Sequence, residues 1–229
     1  MTDAEITDLF GSVPYYIDEV IEDYKQEAAK WPFRKVVSWC SEGPVNIQRI
    51  GGTKHPDYAG LTWHEFLRKG KKMDANLRAF RDNPSYYTDI VRRVPGMSVT
   101  IVDGKGYVSN RGNHRTCIAR CFLLGKDSPF MHGIEVTDVQ TDMRMLAACS
   151  RLRKNLPGYC QAIPESVEVE RDDGNGWATF FHEVRIRIVN WRRKDYAGIF
   201  EADELEDGLL PAMRNRLTAR FSEYRKLLF

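Results

Sequence analysis

Residues 99–124 read VTIVDGKGYVSNRGNHRTCIARCFLL, and this stretch determines the predicted fold. Apolar and polar residues alternate over 99–102, and a short apolar return strand follows at 107–109. The Asp-Gly pair between them is typical of a tight hairpin turn. Beyond the second strand, apolar side chains recur at helical spacing over 114–124. The sequence therefore predicts a strand, a turn, a second strand and a helix in succession.

The junction before this helix combines residue types that suit a phosphate group: Asn110, Arg111, Gly112, Asn113, His114 and Arg115. The first N–H groups of a helix lack partners within it, and the helix dipole places partial positive charge there. Gly112 allows the backbone to approach an anion, and Asn113 is a typical capping residue. Arg115 can bind two phosphate oxygens, and His114 can transfer a proton near neutral pH. An ordinary capped helix with solvated arginines is the alternative that these residue types leave open.

The order of strand, Asp-Gly turn, strand and Gly-x-His-Arg at a helix start resembles the ParB/sulfiredoxin superfamily. The resemblance covers residues 85–155. In sulfiredoxins the box reads Gly-Cys-His-Arg, and Asn113 stands here at the position of the catalytic cysteine. The resemblance therefore implies that this chain keeps a phosphate cradle at Gly112–Arg115 and does not reduce sulfinic acids.

Within the superfamily, the GNHR box and the chain length are most similar to plasmid fertility-inhibition and oncogenic-suppression proteins. This resemblance implies a plasmid-encoded protein that binds ATP, another nucleotide or DNA phosphate, with an ATPase or DNase activity that inhibits conjugative transfer. His114 and Arg115 would be the catalytic residues, and a protein of the conjugation machinery would be a partner. The alternative is a non-catalytic inhibitor, or a transcription or partition regulator, that binds DNA or a partner protein.

Metal-assisted hydrolysis would need a carboxylate near the box, and three acidic residues are candidates. Asp103 in the predicted turn is the candidate for Mg²⁺, with Asp138 and Asp142 near the following strand end as further candidates. Each is also a typical turn or capping residue. The sequence therefore leaves open whether any of them holds a metal.

Two other chemistries are disfavoured. Residues 51–54, Gly-Gly-Thr-Lys, are similar to a phosphate loop, but the Walker spacing is absent and Pro56 follows. His114, Cys117 and Cys121 share one helical face, but zinc needs a fourth ligand or a water, and these cysteines fit the apolar stripe. We also expect Cys117 to be buried and therefore unreactive.

The formal net charge of the 229 residues is +2, so composition does not require a nucleic-acid partner. Basic residues are nevertheless concentrated near the end of a predicted strand in the last third of the chain. Arg185 and Arg187 alternate onto one side of this strand, and Arg192, Arg193 and Lys194 follow. They form a predicted surface for DNA or a partner protein, and a solvated sheet face is the alternative.

No apolar run approaches the roughly 20 residues that span a bilayer, and the first residues lack a signal-peptide pattern. The sequence thus predicts a cytoplasmic protein with no membrane span. Five scattered cysteines, an odd number, indicate reduced thiols rather than a disulfide framework.

The predicted fold is α+β, with a mixed sheet packed by helices in one domain, 1–229. A ParB/sulfiredoxin-like core covers 33–160, after an N-terminal helix within 1–32 and before a β-hairpin and long helix within 161–229. Helices are predicted over 14–30, 62–80 with a break at Gly70, 86–94, 114–124, 142–154 and 202–228. Thr62 and Glu65 are spaced as a capping box at the start of the second of these helices. Strands are predicted over 34–40, 45–50, 99–102, 107–109, 132–139, 166–171 and 177–191.

Overall fold

A computed structural model describes residues 1–90, 96–109, 111–124, 126–192, 195–214 and 224. In chain order its elements are α1 (Asp3–Phe10), β1 (Glu22–Asp23), α2 (Lys25–Ala28), β2 (Arg34–Asn46), β3 (Ile50–Thr53), α3 (Trp63–Lys69), α4 (Met73–Asp82), β4 (Ser98–Val102), β5 (Lys105–Val108), α5 (Asn113–Phe122), β6 (Phe130–Thr141), α6 (Met143–Asn155), β7 (Cys160–Gly174), β8 (Trp177–Asn190), β9 (Asp195–Phe200) and α7 (Leu210–Arg214). The predicted α+β class is confirmed.

The chain forms two compact units. The first comprises Met1–Ala28, Ser38–Val139 and Asp173–Ala178. The second comprises Ala29–Val37, Gln140–Asp172 and Thr179–Phe229. That residues 1–229 form a single domain, with a core over 33–160, stays a prediction.

The first unit contains a mixed sheet. Strands β1, β3 and β5 run parallel, β4 is antiparallel to β5, and β6 is parallel to β4. The pairing of β3 with β5 has an irregularity between Ile50 and Gly52. The predicted β4–β5 hairpin is confirmed, and its turn residues Asp103 and Gly104 have the positive φ angles, 51° and 86°, that a tight turn requires. The predicted helix follows as α5.

Apolar side chains of α1, α3, α4 and α5 pack with those of the sheet in one buried core, which includes Val99, Val108 and Val136. The predicted capping box at the start of α3 is confirmed: Thr62 Oγ1 accepts from the Glu65 N–H at 3.0 Å, and the Glu65 carboxylate accepts from the Thr62 N–H at 3.0 Å. The predicted break at Gly70 is the end of α3.

The prediction of a helix over 14–30 is wrong. Residues 14–19 form turns, β1 follows, and only the four-residue α2 is helical. The backbone N–H of Ile21 donates to the Leu61 carbonyl at 2.8 Å, and that of Tyr24 donates to the Thr53 carbonyl at 3.0 Å. Bonds to distant segments therefore replace the bonds of a helix. The N-terminal helix is instead α1, which begins with a capping box at Thr2.

Three further segments differ from the prediction. Strand β2 continues through the expected break at 42–44, because Gly43 allows close packing: a Cβ there would meet Val136 at 3.0 Å and Trp177 at 3.3 Å. Strand β3 takes residues 50–53, whereas the predicted strand ended at residue 50. Of the helix predicted over 86–94, the described part is a short 3₁₀ turn, Pro84–Tyr87, and 91–95 lie outside the described residues.

In the second unit, β8 pairs with β7 on one side and runs antiparallel to β9 on the other. The predicted β7–β8 hairpin is confirmed, with Asn175 and Gly176 at positive φ in its turn. Strand β9 was not predicted. The predicted final helix is described only to Arg214, as a π-helix (Glu204–Leu209) that continues into α7, and 215–223 and 225–229 lie outside the described residues.

The predicted strand over 132–139 and the helix after it are confirmed as β6 and α6. Asp142 caps α6, because its carboxylate accepts from the Met145 N–H at 2.9 Å. With 13 residues, α6 is the longest described helix. Among the helices that the structure describes, none has the length and apolar composition needed to cross a membrane.

Candidate functional site

The parallel strands β1, β3 and β5 end side by side. The register pairs Asp23 with Thr53 and Thr53 with Val108, which are the last residues of the three strands. Ligands of open sheets with parallel strands bind beyond the carboxyl ends of those strands. Helix α5 begins five residues after Val108, so its first turn lies at this edge of the sheet.

The start of α5 has no side-chain cap. Gly112 occupies the N-cap position at φ 108°, in the left-handed region that glycine favours, and it has no side chain to accept a hydrogen bond. Side chains of Thr2, Thr62 and Asp142 cap α1, α3 and α6. Within the described ranges, the backbone N–H groups of the first two residues of α5 find no acceptor. These donors are therefore available to an anion.

The prediction that Asn113 caps the helix is wrong. Asn113 is the first helical residue, and its side chain is 6% exposed. Its Oδ1 accepts from Thr53 Oγ1 at 2.6 Å, and its Nδ2 donates to the Ser109 carbonyl at 3.4 Å. Thr53 Oγ1 also accepts from the His55 N–H at 3.0 Å. The buried amide therefore ties the end of β3 to the first turn of α5.

His114 is half-buried between aromatic rings. Its ring lies 5.0 Å from that of Phe66 and meets Tyr58 edge-on at 5.4 Å, between ring centroids. Its Nε2 accepts from the Lys72 N–H at 3.4 Å. In the neutral imidazole this bond assigns the proton to Nδ1, so His114 can donate one hydrogen bond.

The electrostatic surroundings of His114 are positive. Burial lowers its pKa below 6.5, and the charges of Lys72, His55 and Arg115 lower it further. Lys72 and Arg115 are positively charged at neutral pH. His114 is therefore neutral at pH 7, and the start of α5 combines unpaired N–H donors with positive potential.

Arg115 is held by protein groups. Its Nη1 donates to the Tyr86 hydroxyl at 2.7 Å, and its Nη2 donates to the Gly96 carbonyl at 3.1 Å. It lines a cavity of about 310 Å³ with Asn76, Ala79, Phe80, Asn83, Tyr86 and Tyr87. The guanidinium thus positions the segment before β4. Bidentate binding of a phosphate by Arg115 stays a prediction.

The remaining residues of the predicted box lie before α5. Arg111 is exposed and lines a second cavity of about 310 Å³, together with Trp39 and Glu135. Trp39 Nε1 donates to the Glu135 carboxylate at 3.4 Å. Asn110 lies outside the described residues.

The predicted basic surface carries carboxylates as well. Arg185 Nη2 lies 2.6 Å from a Glu183 carboxylate oxygen and 3.9 Å from one of Glu201. Arg187 Nη2 lies 2.6 Å from a Glu165 oxygen. These pairs offset the positive potential that a DNA backbone would need.

Further along this segment, the guanidinium of Arg192 lies over the Tyr159 ring, 4.2 Å from its centroid. Arg193 and Lys194 lie outside the described residues. Binding of DNA or a partner protein at this surface stays a prediction.

Acidic residues meet where β4 turns into β5. The Asp103 N–H donates to the Val139 carbonyl at 2.9 Å. Burial raises the pKa of Asp138, and the neighbouring charge of Asp103 raises it further. In the described part of the chain, no group of three or more His, Cys, Asp or Glu side chains is arranged to hold a metal ion. Mg²⁺ at Asp103 stays a prediction.

The predicted burial of Cys117 is confirmed. Its side chain is fully buried, and its Sγ donates to the Trp63 carbonyl at 3.8 Å. Burial raises the pKa of this thiol well above its usual value, and the neighbouring Cys121 raises it further. A protonated, inaccessible thiol is a poor nucleophile and a poor metal ligand.

Sequence reasoning missed Arg120, a buried arginine in the apolar part of α5. Its guanidinium lies between the rings of Tyr16 and Trp63, 4.2 and 4.5 Å from their centroids, and its Nη1 donates to the Ile50 carbonyl. Its own carbonyl accepts from the Tyr16 hydroxyl and, at 3.2 Å, from Gln48 Nε2. A charged residue within an apolar helical stripe was the signal that could have identified it.

The chain matches no protein-family model, no curated protein and no solved structure. The resemblance to the ParB/sulfiredoxin superfamily therefore rests on the hairpin, the GNHR box and the helix of this chain alone. That assignment stays a prediction.

Proposed function

We propose that the start of α5 binds a phosphate group of a nucleotide or a nucleic acid. One observation carries the proposal: the first N–H groups of α5 are unpaired among the described residues, and the positive charges of Lys72 and Arg115 act on His114 beside them. Backbone donors at a helix start bind phosphate oxygens, and positive charge strengthens each of these bonds. The position beyond the carboxyl ends of three parallel strands adds support.

Membership of the ParB/sulfiredoxin superfamily, and of its plasmid fertility-inhibition subgroup, is part of the same proposal. It rests on the residues of the box. A non-catalytic phosphate-binding protein fits this geometry better than an ATPase or DNase does. The hydrogen bond from Lys72 to Nε2 leaves His114 as a donor through Nδ1, and a general base needs a free acceptor nitrogen.

The test replaces His114 with glutamate and, as a matched control, with glutamine. Both variants lose the imidazole, and only glutamate adds a negative charge in the first helical turn. At about 5 Å and an effective dielectric constant of about 20, this charge repels a phosphate by roughly 3 kcal/mol before screening by salt. We therefore expect His114→Glu to bind ATP and CTP at least about tenfold more weakly than His114→Gln.

Isothermal titration calorimetry with the triphosphates and diphosphates, with and without Mg²⁺, measures this difference. An acidic residue in the first turn stabilises a helix, so weaker binding of the glutamate variant cannot be attributed to loss of α5. Thermal unfolding checks that both variants fold. Equal affinity of the two variants for every nucleotide and for duplex DNA would exclude the start of α5 as the phosphate site.

A further inference from the structure

The carboxyl edge of the parallel strands has a second set of polar side chains, centred on Lys54. Lys54 follows β3 directly, and its backbone N–H donates to the Val108 carbonyl at 2.8 Å. Successive side chains of a strand point to opposite faces of a sheet. Thr53 contacts Asn113 of α5, whereas Lys54 extends over the other face to Thr100 of β4.

Among the residues that the structure describes, those in contact with the ammonium of Lys54 are neutral. Its Nζ donates to Thr100 Oγ1 at 2.7 Å and lies 4.3 Å from the centroid of the Tyr24 ring. Thr100 Oγ1 lies 3.4 Å from the Ser109 hydroxyl. Within the described ranges, no carboxylate lies within ion-pair distance of this Nζ.

This lack of a counter-charge distinguishes Lys54 from more exposed lysines of the same unit. Lys25, Lys69 and Lys105 each pair with a carboxylate. Lys54 is half-buried, and burial alone lowers its pKa, without an offsetting negative charge. A cation–π contact and one hydroxyl recover only part of the hydration that a half-buried ammonium loses. Two of its three N–H donors have no acceptor among the described residues.

We propose that Lys54, together with the hydroxyls of Thr100 and Ser109, forms a second anion site that binds a phosphate or carboxylate group. The ammonium supplies charge and two free donors, and the Ser109 hydroxyl supplies a further donor beside it. The site lies on the sheet face opposite α5. It does not depend on the phosphate site proposed at the start of that helix.

The experiment measures the reactivity of Lys54 in the full chain. The protein is acetylated with a trace of acetic anhydride at constant pH and ionic strength, in chloride, phosphate or acetate, and the rate at each lysine is read by mass spectrometry. Only the unprotonated amine reacts, and an anion within about 4–6 Å changes a pKa by about 1 to 3. We therefore expect phosphate, acetate or both to slow acetylation of Lys54 about tenfold, and Lys25 to serve as the exposed internal control.

Slower acetylation of Lys54 in phosphate alone identifies a phosphoryl group as the ligand of the site. Slower acetylation in acetate identifies a carboxylate as the ligand. Ser109→Ala should reduce the protection, because it removes a donor without changing the charge. The proposal is overturned if Lys54 reacts at the same rate in all three salts.

His114→Glu separates this site from the one at α5. Protection of Lys54 should persist in that variant, whether or not the α5 site binds phosphate. Protection that disappears with His114→Glu would show a single site and would overturn the proposal of a second one.

Discussion

Arg120 carries a buried charge in the first unit, and its replacement tests the contacts described for it. The side chain is 3% exposed and lies between two buried rings, those of Tyr16 and Trp63. Arg120→Met keeps most of the volume between the rings and removes the charge. Arg120→Ala removes both.

The expected losses follow from these contacts. In Arg120→Met, the Ile50 carbonyl loses its donor, and an unsatisfied buried acceptor costs about 1–3 kcal/mol. The lost cation–π contacts add to this cost. Part of it is offset because the methionine variant no longer buries a charged group away from water. Arg120→Ala also leaves a cavity, so we expect a loss of about 3–5 kcal/mol, larger than that of the methionine variant.

Urea unfolding followed by tryptophan fluorescence and circular dichroism measures both values. Trp63, which contacts the guanidinium, is one of the five tryptophans that contribute to the emission. If Arg120→Met is as stable as the wild type, the stabilisation from the contacts of the guanidinium only equals the free-energy cost of its desolvation. If Arg120→Ala is also as stable, the packing argument fails as well.

Two further predictions concern the start of α5. Because the native state holds His114 neutral with a pKa below 6.5, the unfolded chain binds more protons as the pH falls, and the free energy of unfolding decreases. Urea titrations at about pH 7.5 and about pH 5 should show a larger decrease for the wild type than for His114→Gln, and equal decreases would contradict the burial of this imidazole. Gly112→Ala forces a Cβ into the left-handed region and to 3.0 Å from Met97, so it should cost roughly 1–3 kcal/mol. Gly158→Ala, where a Cβ meets nothing within 4 Å, should change the melting temperature little, and a similar effect of both variants would refute the strain at Gly112.

Local signals predicted the parts of the fold that depend on neighbouring residues. The β4–β5 hairpin followed from an Asp-Gly turn, and the start of α3 followed from Thr62 and Glu65 in a capping box. The backbone geometry of these features is fixed within a few residues, so the sequence contains the information. The position of Gly112 directly before α5 was predictable for the same reason.

Contacts between distant segments explain what the sequence could not predict. Residues 14–30 have apolar side chains at helical spacing, but Tyr16 packs on Arg120 and the backbone of Ile21 bonds to Leu61. Apolar residues at this spacing are compatible with a helix and with a packed loop. Contacts with distant segments determine which of the two forms. The role of Lys54 likewise depends on β3 lying beside β5, which no local pattern specifies.

Thr53 and Lys54 are adjacent in sequence, yet their side chains lie on opposite faces of the sheet. Ile50 pairs with Gly106 and Gly52 pairs with the next residue, Tyr107, so β3 has one extra residue, Gly51, at this point. Because of this extra residue, Ile50 and Thr53 face the same side of the sheet, the side that α5 covers, although they are three positions apart. If Gly51 instead took a partner of its own in β5, Thr53 would turn away from Asn113 and Lys54 would turn towards α5. This irregularity therefore determines which face of the sheet receives the ammonium.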